Sequence, residues 1–135
     1  MTQEQKSLLI KDLCARLPYR VKAQIKNEIV ALDSICDDDG YHFNFISEDK
    51  EGVNIEEIKP YLFPLSSMTE EQKIDLTKHL NARVFVNGEI SFQCLYANTM
   101  DRWEKVFKWC NKNHFDYRGL IPMGLANDAT GLNIY

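Results

Sequence analysis

The pattern of apolar and polar positions over the first 65 residues predicts one helix followed by several short strands. A helix over residues 3–17 is indicated by apolar residues at the i, i+3, i+4, i+7 spacing: Ile10, Leu13, Cys14 and Leu17. Strands are then predicted over residues 20–26, 29–36, 41–45 and 53–58, and the first and third of them show period-two alternation. Because Asp37-Asp38-Asp39-Gly40 is a strong turn pattern, we expect a small, strongly bent antiparallel sheet or partial barrel, covered by the N-terminal helix.

The stretch from Lys59 to Gln72 separates this strand-rich half from a helical half. Pro60 and Pro64 each lack a backbone donor, so neither is expected in a central strand or inside a helix. Four large apolar residues stand between and beside the two prolines: Tyr61, Leu62, Phe63 and Leu65. We therefore expect a short extended segment that pins the two halves together.

The second half is predicted to contain two helices and a hairpin. Two overlapping capping boxes, Ser67-x-x-Glu70 and Thr69-x-x-Gln72, predict a helix over residues 69–80. Asn87-Gly88 between apolar runs predicts a hairpin with arms at 83–86 and 89–96. A third helix is expected from residue 98 or 99 to 113, with one face formed by Trp103, Val106, Phe107, Cys110 and His114. The fold prediction is α+β in one compact domain, 1–135, with a β-rich part at 1–65 and an α-rich part at 66–135.

The segment after the third helix is apolar but is interrupted by Gly119, Pro122 and Gly124, which deny it a regular helix. Its apolar side chains are expected either to dock on the face of the third helix that carries Trp103, Phe107 and Cys110, or to pack on a partner protein or a second copy of the chain. The residues in question are Leu120, Ile121, Met123 and Leu125.

Composition places the chain among ordinary globular proteins, with 44% apolar and 27% charged residues. No apolar run approaches the ~20 residues of a membrane span, and the N-terminus lacks a signal-peptide pattern. We therefore expect a soluble, cytoplasmic protein with no membrane contact. The net charge of −4 is uneven, because residues 1–27 are basic and residues 28–60 are acidic. Without any Cys-x-x-Cys pair, the four cysteines are expected to be reduced and mostly buried.

One candidate site is the cluster His114, Asp116, Tyr117 and Arg118. It could serve acid–base chemistry or hold an anion, or it could tie a loop to helix ends through charge-assisted hydrogen bonds. His114 also follows Cys110 at i+4, a spacing at which two side chains of a helix can bind one metal ion. The spacing of the other cysteines and histidines does not predict the further ligands that a structural zinc site needs. Neither a metal, a cofactor nor a catalytic residue is therefore predicted.

A second candidate is the outer face of the third helix, where basic residues recur at helical spacing beside a tryptophan: Arg102, Lys105, Lys108 and Lys112, with Trp109 at the border. Basic side chains next to an aromatic ring can bind phosphates and stack a base. Against nucleic-acid binding stand the acidic net charge and the two carboxylates, Asp101 and Glu104, that dilute the stripe.

Three stretches, Lys11–Tyr19, Lys59–Gln72 and His114–Ile121, resemble a family of small proteins found in Bacteroides-type gut bacteria and in their phages and prophages. The resemblance spans both ends and the middle of the chain, and it implies no reaction, cofactor or catalytic residue. The predicted function is a non-catalytic accessory or protein-interaction protein of phage or mobile-element type. The alternatives are a nucleic-acid-associated protein that uses the third helix and a small enzyme that uses His114 and Asp116.

Overall fold

The computed structural model of the chain describes residues 1–47, 51–80, 82–84, 90–92 and 99–135. Their helices and strands are, in chain order, α1 (Gln3–Arg16), β1 (Lys22–Ile25), β2 (Glu28–Asp37), β3 (Tyr41–Phe45), β4 (Ile58–Leu62), α2 (Glu70–Leu80), β5 (Ala82–Val84), β6 (Ile90–Phe92), α3 (Thr99–Lys112) and β7 (Asn127–Asp128). Within these ranges one sheet has the strand order β3-β2-β1-β4-β7, and β5 pairs with β6. The α+β class is confirmed. The sheet is open rather than closed into a barrel, and it is mixed, because β7 runs parallel to β4.

Helix α1 begins at a capping box, in which Thr2 Oγ1 accepts from the Gln5 backbone N–H and the Gln5 side chain accepts from the Thr2 N–H. Its buried face consists of Leu9, Asp12, Leu13 and Arg16. Each buried position thus lies one residue before the corresponding position of the predicted face, and Cys14, which was predicted on that face, is exposed. The prediction was wrong because two of the four buried positions carry charged side chains, which a hydrophobic pattern assigns to the surface.

The first core lies between α1 and the inner face of the sheet. The inward side chains of the first three strands pack there against Leu9 and Leu13: Ala23, Ile25, Val30, Leu32, Phe43 and Phe45. The predicted fourth strand at 53–58 is wrong in its bounds. Val53 forms only an isolated bridge to Phe43, residues Ile55–Glu57 form a 3-10 turn, and β4 itself starts at Ile58.

Pro60 lies inside β4, contrary to the expectation that it would avoid an interior strand. β4 pairs with β1 through Pro60, but its pairing with β7 begins only at Tyr61. At Pro60 the strand therefore has a neighbour on one side only, which is the edge situation in which proline is tolerated.

The end of β4 and the residue after it join the first core to a second one, within the segment predicted to pin the two halves together. Leu62 is buried in the first core, whereas Phe63 packs against the second, which consists of Met68, Leu76, Val106, Cys110 and Phe115. Phe63 also forms a parallel bridge with Phe115: its N–H donates to the His114 carbonyl (2.8 Å), and its carbonyl accepts from the Asp116 N–H (2.8 Å).

The predicted helices of the second half are confirmed, and α2 uses the second of the two capping boxes. Gln72 N–H donates to Thr69 Oγ1 (3.2 Å), while the Gln72 side chain accepts from the Thr69 N–H (2.9 Å). Ser67 instead ends a 3-10 turn, where its hydroxyl donates to the Pro64 carbonyl. β5 and β6 are antiparallel. The Asn87-Gly88 turn predicted between them lies outside the described residues.

The C-terminal segment docks within the same chain, but on the first core rather than on Trp103 and Phe107. Leu120 and Leu125 are buried there (0% and 5% exposed), together with Ala126. Two of the four side chains considered for a partner are thus already used, Ile121 is half-buried, and Met123 remains exposed. None of the helices in the described ranges has the length and apolarity needed to cross a membrane.

Candidate functional site: an aromatic groove beside a buried ionic cluster

A buried ionic cluster joins α1 to the segment after α3. Arg16 Nε donates to Asp12 Oδ2 (2.7 Å) and Arg118 Nε donates to Asp12 Oδ1 (3.1 Å), so one carboxylate lies between two guanidinium groups. The side chains of Asp12 and Arg16 are fully buried, and Arg16 Nη2 also donates to the Phe115 carbonyl (2.7 Å). Because buried charges are tolerated only when they are paired and hydrogen-bonded, the cluster fixes the position of the 115–118 segment against α1.

From this cluster a column of stacked rings runs towards the surface. The Arg16 and Arg118 guanidinium carbons lie 5.5 and 4.9 Å from the centre of the Tyr117 ring, a distance at which cation–π attraction is effective. Tyr117 stacks on Phe107 (4.7 Å between ring centres, 15° between planes), and Phe107 stacks on Trp103 (5.6 Å, 29°). The three rings thereby form one continuous stacked wall.

This wall is one side of an open groove of about 610 Å³. Its lining is mostly aromatic and aliphatic and comes from the segment after β4, from β6, from α3 and from the 116–122 segment: Pro64, Leu65, Ser66, Ile90, Trp103, Phe107, Asp116, Tyr117, Gly119, Ile121 and Pro122. Phe107 remains 37% exposed in spite of its stacking. We call this feature the aromatic groove.

Asp116 is the carboxylate in the lining, and both of its oxygens are occupied. Oδ1 accepts from the Leu120 N–H (2.8 Å) and Oδ2 accepts from the Ile121 N–H (2.9 Å), while the residue is only 7% exposed. Gly119 in the same turn has φ +75°, which glycine adopts without strain. Asp116 therefore stabilises the turn that shapes the groove. This is the structural role considered for the His114–Arg118 cluster, in which charged side chains fix a loop through hydrogen bonds.

His114 lies outside the groove lining. Its ring stacks on Tyr135 with 3.6 Å between ring centres. Burial, reinforced by the positive charges of Arg16 and Lys22, lowers the pKa of His114 to about 4. The imidazole is thus neutral at pH 7 and packed against a ring, whereas the Asp116 carboxylate faces backbone donors. His114 and Asp116, the two residues considered for catalysis, therefore have different partners and do not contact each other's functional groups through these interactions.

The lysines of the predicted basic stripe lie on the surface of α3, and Lys105 pairs there with Asp101 (3.3 Å). Trp109 has a different environment. Its indole Nε1 donates to Asp75 Oδ2 (2.7 Å), and its ring stacks on Phe115 (5.5 Å, 5°). The tryptophan considered for base stacking is therefore partly buried and packs against the second core.

The cysteines divide into buried and exposed thiols. Burial raises the pKa of the Cys110 thiol to about 12, which makes it unreactive at neutral pH. Cys14 and Cys36 are exposed, contrary to the expectation that most thiols are buried, and Cys94 lies outside the described residues. In the described part of the chain no three potential metal-ligating side chains lie together.

Comparison of the chain with protein-family models, with curated proteins and with solved structures found no match. Sequence reasoning placed Trp103 and Phe107 on one face of the third helix, and it missed both the groove and the Asp12–Arg16 pair. The i, i+4 spacing of Asp12 and Arg16 was the available signal for that pair.

Proposed function

We propose that the protein is a non-catalytic interaction protein whose aromatic groove holds an apolar segment of a protein partner. The observation that carries the proposal is the open groove of about 610 Å³, lined mainly by aromatic and aliphatic residues and bounded by a stacked wall. Binding sites are typically concave, mostly apolar and largely preformed. A wall that is already ordered loses little conformational entropy when a ligand binds, which favours affinity.

The chemistry around the groove supports binding over catalysis. A general base must be free to reach the substrate proton, but the Asp116 oxygens are engaged by two backbone N–H groups. The His114 ring packs on Tyr135, and the Cys110 thiol is buried. The remaining lining offers surface for apolar contact rather than a nucleophile paired with a base.

The proposed setting is the bacterial cytoplasm, as an accessory protein of phage or mobile-element type. The support is the resemblance in Lys11–Tyr19, Lys59–Gln72 and His114–Ile121. The free thiols of Cys14, Cys36 and Cys110 are in keeping with a reducing compartment. Nucleic-acid association has weaker support, because it would have to rely on the α3 lysines without the ring of Trp109.

The test is selection of peptides from a displayed random library on the full chain, followed by fluorescence anisotropy with the selected sequences. Ser66 is an exposed residue of the lining, so Ser66→Trp should place a large side chain in the groove. We expect this variant to weaken binding by at least about tenfold, a loss of about 1.4 kcal/mol.

The matched control is Ser7→Trp, the same substitution at an exposed position of α1, which should leave peptide affinity unchanged. Far-UV circular dichroism and a thermal melt verify that both variants are folded. Enrichment of no peptide, or equal affinity for wild type and Ser66→Trp, would contradict the proposed function.

A further inference from the structure

We propose that the slot occupied by Tyr135 is a binding site for a peptide-bound tyrosine, and that a tyrosine of another polypeptide can enter it in place of Tyr135. The slot is formed by Lys22 of β1, Tyr61 of β4, Phe63 and His114, and we call it the tyrosine slot. These four residues, all in the described part of the chain, do not line the aromatic groove. The inference therefore does not depend on the proposed function.

The hydroxyl of Tyr135 is bound by main-chain groups of two paired strands, β1 and β4. It donates to the Tyr61 carbonyl (2.7 Å) and accepts from the Lys22 N–H (2.9 Å). Burial raises the pKa of this hydroxyl, so it is protonated at neutral pH and able to donate. Because a side chain without a hydroxyl would leave both main-chain groups without this partner, the slot distinguishes tyrosine from phenylalanine.

The ring of Tyr135 makes three further contacts. It stacks on the His114 ring, with 3.6 Å between ring centres and 13° between planes, and its centre lies 5.9 Å from that of the tilted Phe63 ring. Lys22 Nζ lies 5.8 Å from the centre of the Tyr135 ring, within the range of cation–π attraction. These contacts require an aromatic ring but do not depend on which chain supplies it.

Lys22 also contacts the main chain that carries the ring. Its Nζ donates to the carbonyl of Ile134, which is the acyl group attached to the Tyr135 nitrogen. A tyrosine inside a polypeptide has such a carbonyl, whereas a free phenol does not. The tyrosine slot therefore fits a peptide-bound tyrosine better than it fits a free phenol.

The segment that brings Tyr135 to the slot is exposed, and we call residues 130–135 the strap. Its Leu132 is 49% exposed and donates its N–H locally, to the Ala129 carbonyl. Ala129 is buried, but none of the described residues that follow it is buried, and Tyr135 is itself 41% exposed. The strap can therefore detach without opening either core, as is typical of segments with low local stability.

The ring of Tyr135 competes with any incoming tyrosine. A ligand can bind only to the fraction of molecules in which the strap is detached, and its apparent dissociation constant is the intrinsic value divided by that fraction. A slot that is open in about one molecule in a hundred would weaken binding about hundredfold. Removal of the Tyr135 ring should therefore strengthen the binding of a tyrosine ligand.

The experiment titrates the full chain with N-acetyltyrosinamide, whose acetyl carbonyl takes the place of the Ile134 carbonyl, and follows the Lys22 amide signal in a proton–nitrogen correlation NMR spectrum. Tyr135→Ala, which empties the slot, should bind this compound at least about tenfold more tightly than the wild type. N-acetylphenylalaninamide, which lacks the hydroxyl, should bind the same variant at least about tenfold more weakly than the tyrosine compound.

Further variants test the individual contacts. Lys22→Met combined with Tyr135→Ala removes the Nζ donor, and it should lower the affinity for N-acetyltyrosinamide towards that for para-cresol, a phenol without a carbonyl. The matched control is Lys59→Met in the same background, at an exposed position of β4, which should leave the affinity unchanged. Tyr135→Phe keeps the ring and loses the hydroxyl, so its affinity for N-acetyltyrosinamide should lie between those of the wild type and Tyr135→Ala.

Circular dichroism verifies that each variant is folded, and if Tyr135→Ala is not, the comparison of Tyr135→Phe with the wild type decides. Equal affinity of the wild type and the position-135 variants would show that Tyr135 does not compete for the site, and it would overturn the proposal. Equal affinity for the tyrosine and phenylalanine compounds, or an unchanged Lys22 signal, would also overturn it. A wild-type dimer that Tyr135→Ala abolishes in light scattering would support the proposal and identify a second copy as the source of the tyrosine.

Discussion

Asp12 shows how much structure one charged side chain can determine. It accepts from Arg16 and Arg118, and it has no exposed side-chain surface. Arg16 in turn donates to the Phe115 carbonyl and lies over Tyr117. The carboxylate therefore connects α1 to the residues that form the groove wall, and its removal would leave two guanidinium groups without their counter-charge.

We expect Asp12→Ala to lower the free energy of unfolding by about 3–5 kcal/mol, the usual cost of removing one partner from a buried ion pair. Urea denaturation followed by circular dichroism measures the change. The control is Glu56→Ala, which removes an exposed pair with Lys6 and should have no measurable effect. Equal stability of the two variants would mean that the buried cluster is not a stabilising contact.

His114 should make stability depend on pH. Its folded-state pKa is lowered to about 4, first by burial and then by the charges of Arg16 and Lys22, whereas an unfolded histidine titrates near pH 6.5. Between these values the unfolded state binds more protons than the folded state. The stabilisation is therefore complete above about pH 6.5 and is lost as the pH falls towards about 4.

The measurement is the urea midpoint at about pH 7 and about pH 5, in the wild type and in His114→Asn. Asn tolerates the positive φ of +62° at this position and does not titrate. We expect a smaller loss of stability between the two pH values in the variant than in the wild type. An identical loss in both proteins would assign the pH dependence to other groups.

At the scale of elements, the start of α2 illustrates a purely local signal. The reciprocal hydrogen bonds between Thr69 and Gln72 satisfy backbone groups that would otherwise lack a partner at the helix N-terminus. Glu70 and Glu71 lie in the first turn, where the helix dipole favours negative charge.

Thr69→Ala should therefore destabilise the protein by about 1 kcal/mol, the typical cost of losing an N-cap side chain. Thermal and urea denaturation measure the change. Ser66→Ala removes a hydroxyl from an exposed position three residues earlier and serves as the control, with no expected change. A cap contribution at Thr69 is ruled out if the two variants have the same stability.

Elements with local signals could be predicted from the sequence, and elements made by distant partners could not. The bounds of α2 and α3 and the turn at Asp37–Gly40 follow from spacing and turn chemistry. β7 has only two residues and exists because Asn127 and Asp128 meet β4, a pairing that leaves no local pattern. The strand predicted over residues 53–58 was wrong for a similar reason, because Val53 bridges to Phe43 and the chain then forms a 3-10 turn before β4.

In the candidate site, too, features with a local sequence signal could be predicted and features made by distant residues could not. The lysines of α3 were predicted on the surface, and they lie there. The groove was not predicted, because Phe107 and Trp103 fit the apolar stripe of a core helix and only the arrangement of Pro64, Tyr117 and Ile121 around them leaves the face open. The packing of Trp109 against the second core could have been predicted only by knowing that α2 brings Asp75 to its indole N–H.

At the scale of the whole molecule, the stretches Lys11–Tyr19, Lys59–Gln72 and His114–Ile121 converge on one joint. Phe63 of the middle stretch bridges Phe115 of the last, and Arg16 of the first donates to the Phe115 carbonyl. The joint lies where the first core meets the second, next to the aromatic groove. These stretches therefore secure the relative position of the two cores, on which the shape of the groove depends.

The segment beyond Arg118 closes the first core, and this gives the last prediction. Leu120 and Ala129 are 0% and 1% exposed, and the Ala129 N–H donates to the Leu62 carbonyl (2.8 Å). The Tyr135 hydroxyl also donates to the Tyr61 carbonyl (2.7 Å). Because the segment supplies buried side chains and a strand, we expect a chain that ends at Arg118 to show no cooperative thermal transition.

A chain that ends at Leu132 is the matched control, because it keeps β7 and every buried residue of the segment and loses the stacking of Tyr135 on His114. It should unfold cooperatively at a somewhat lower temperature than the full chain. Light scattering distinguishes the competing explanation, in which the segment packs on a second copy. A dimeric full chain, combined with a folded monomer ending at Arg118, would show that the segment serves an interface rather than its own core.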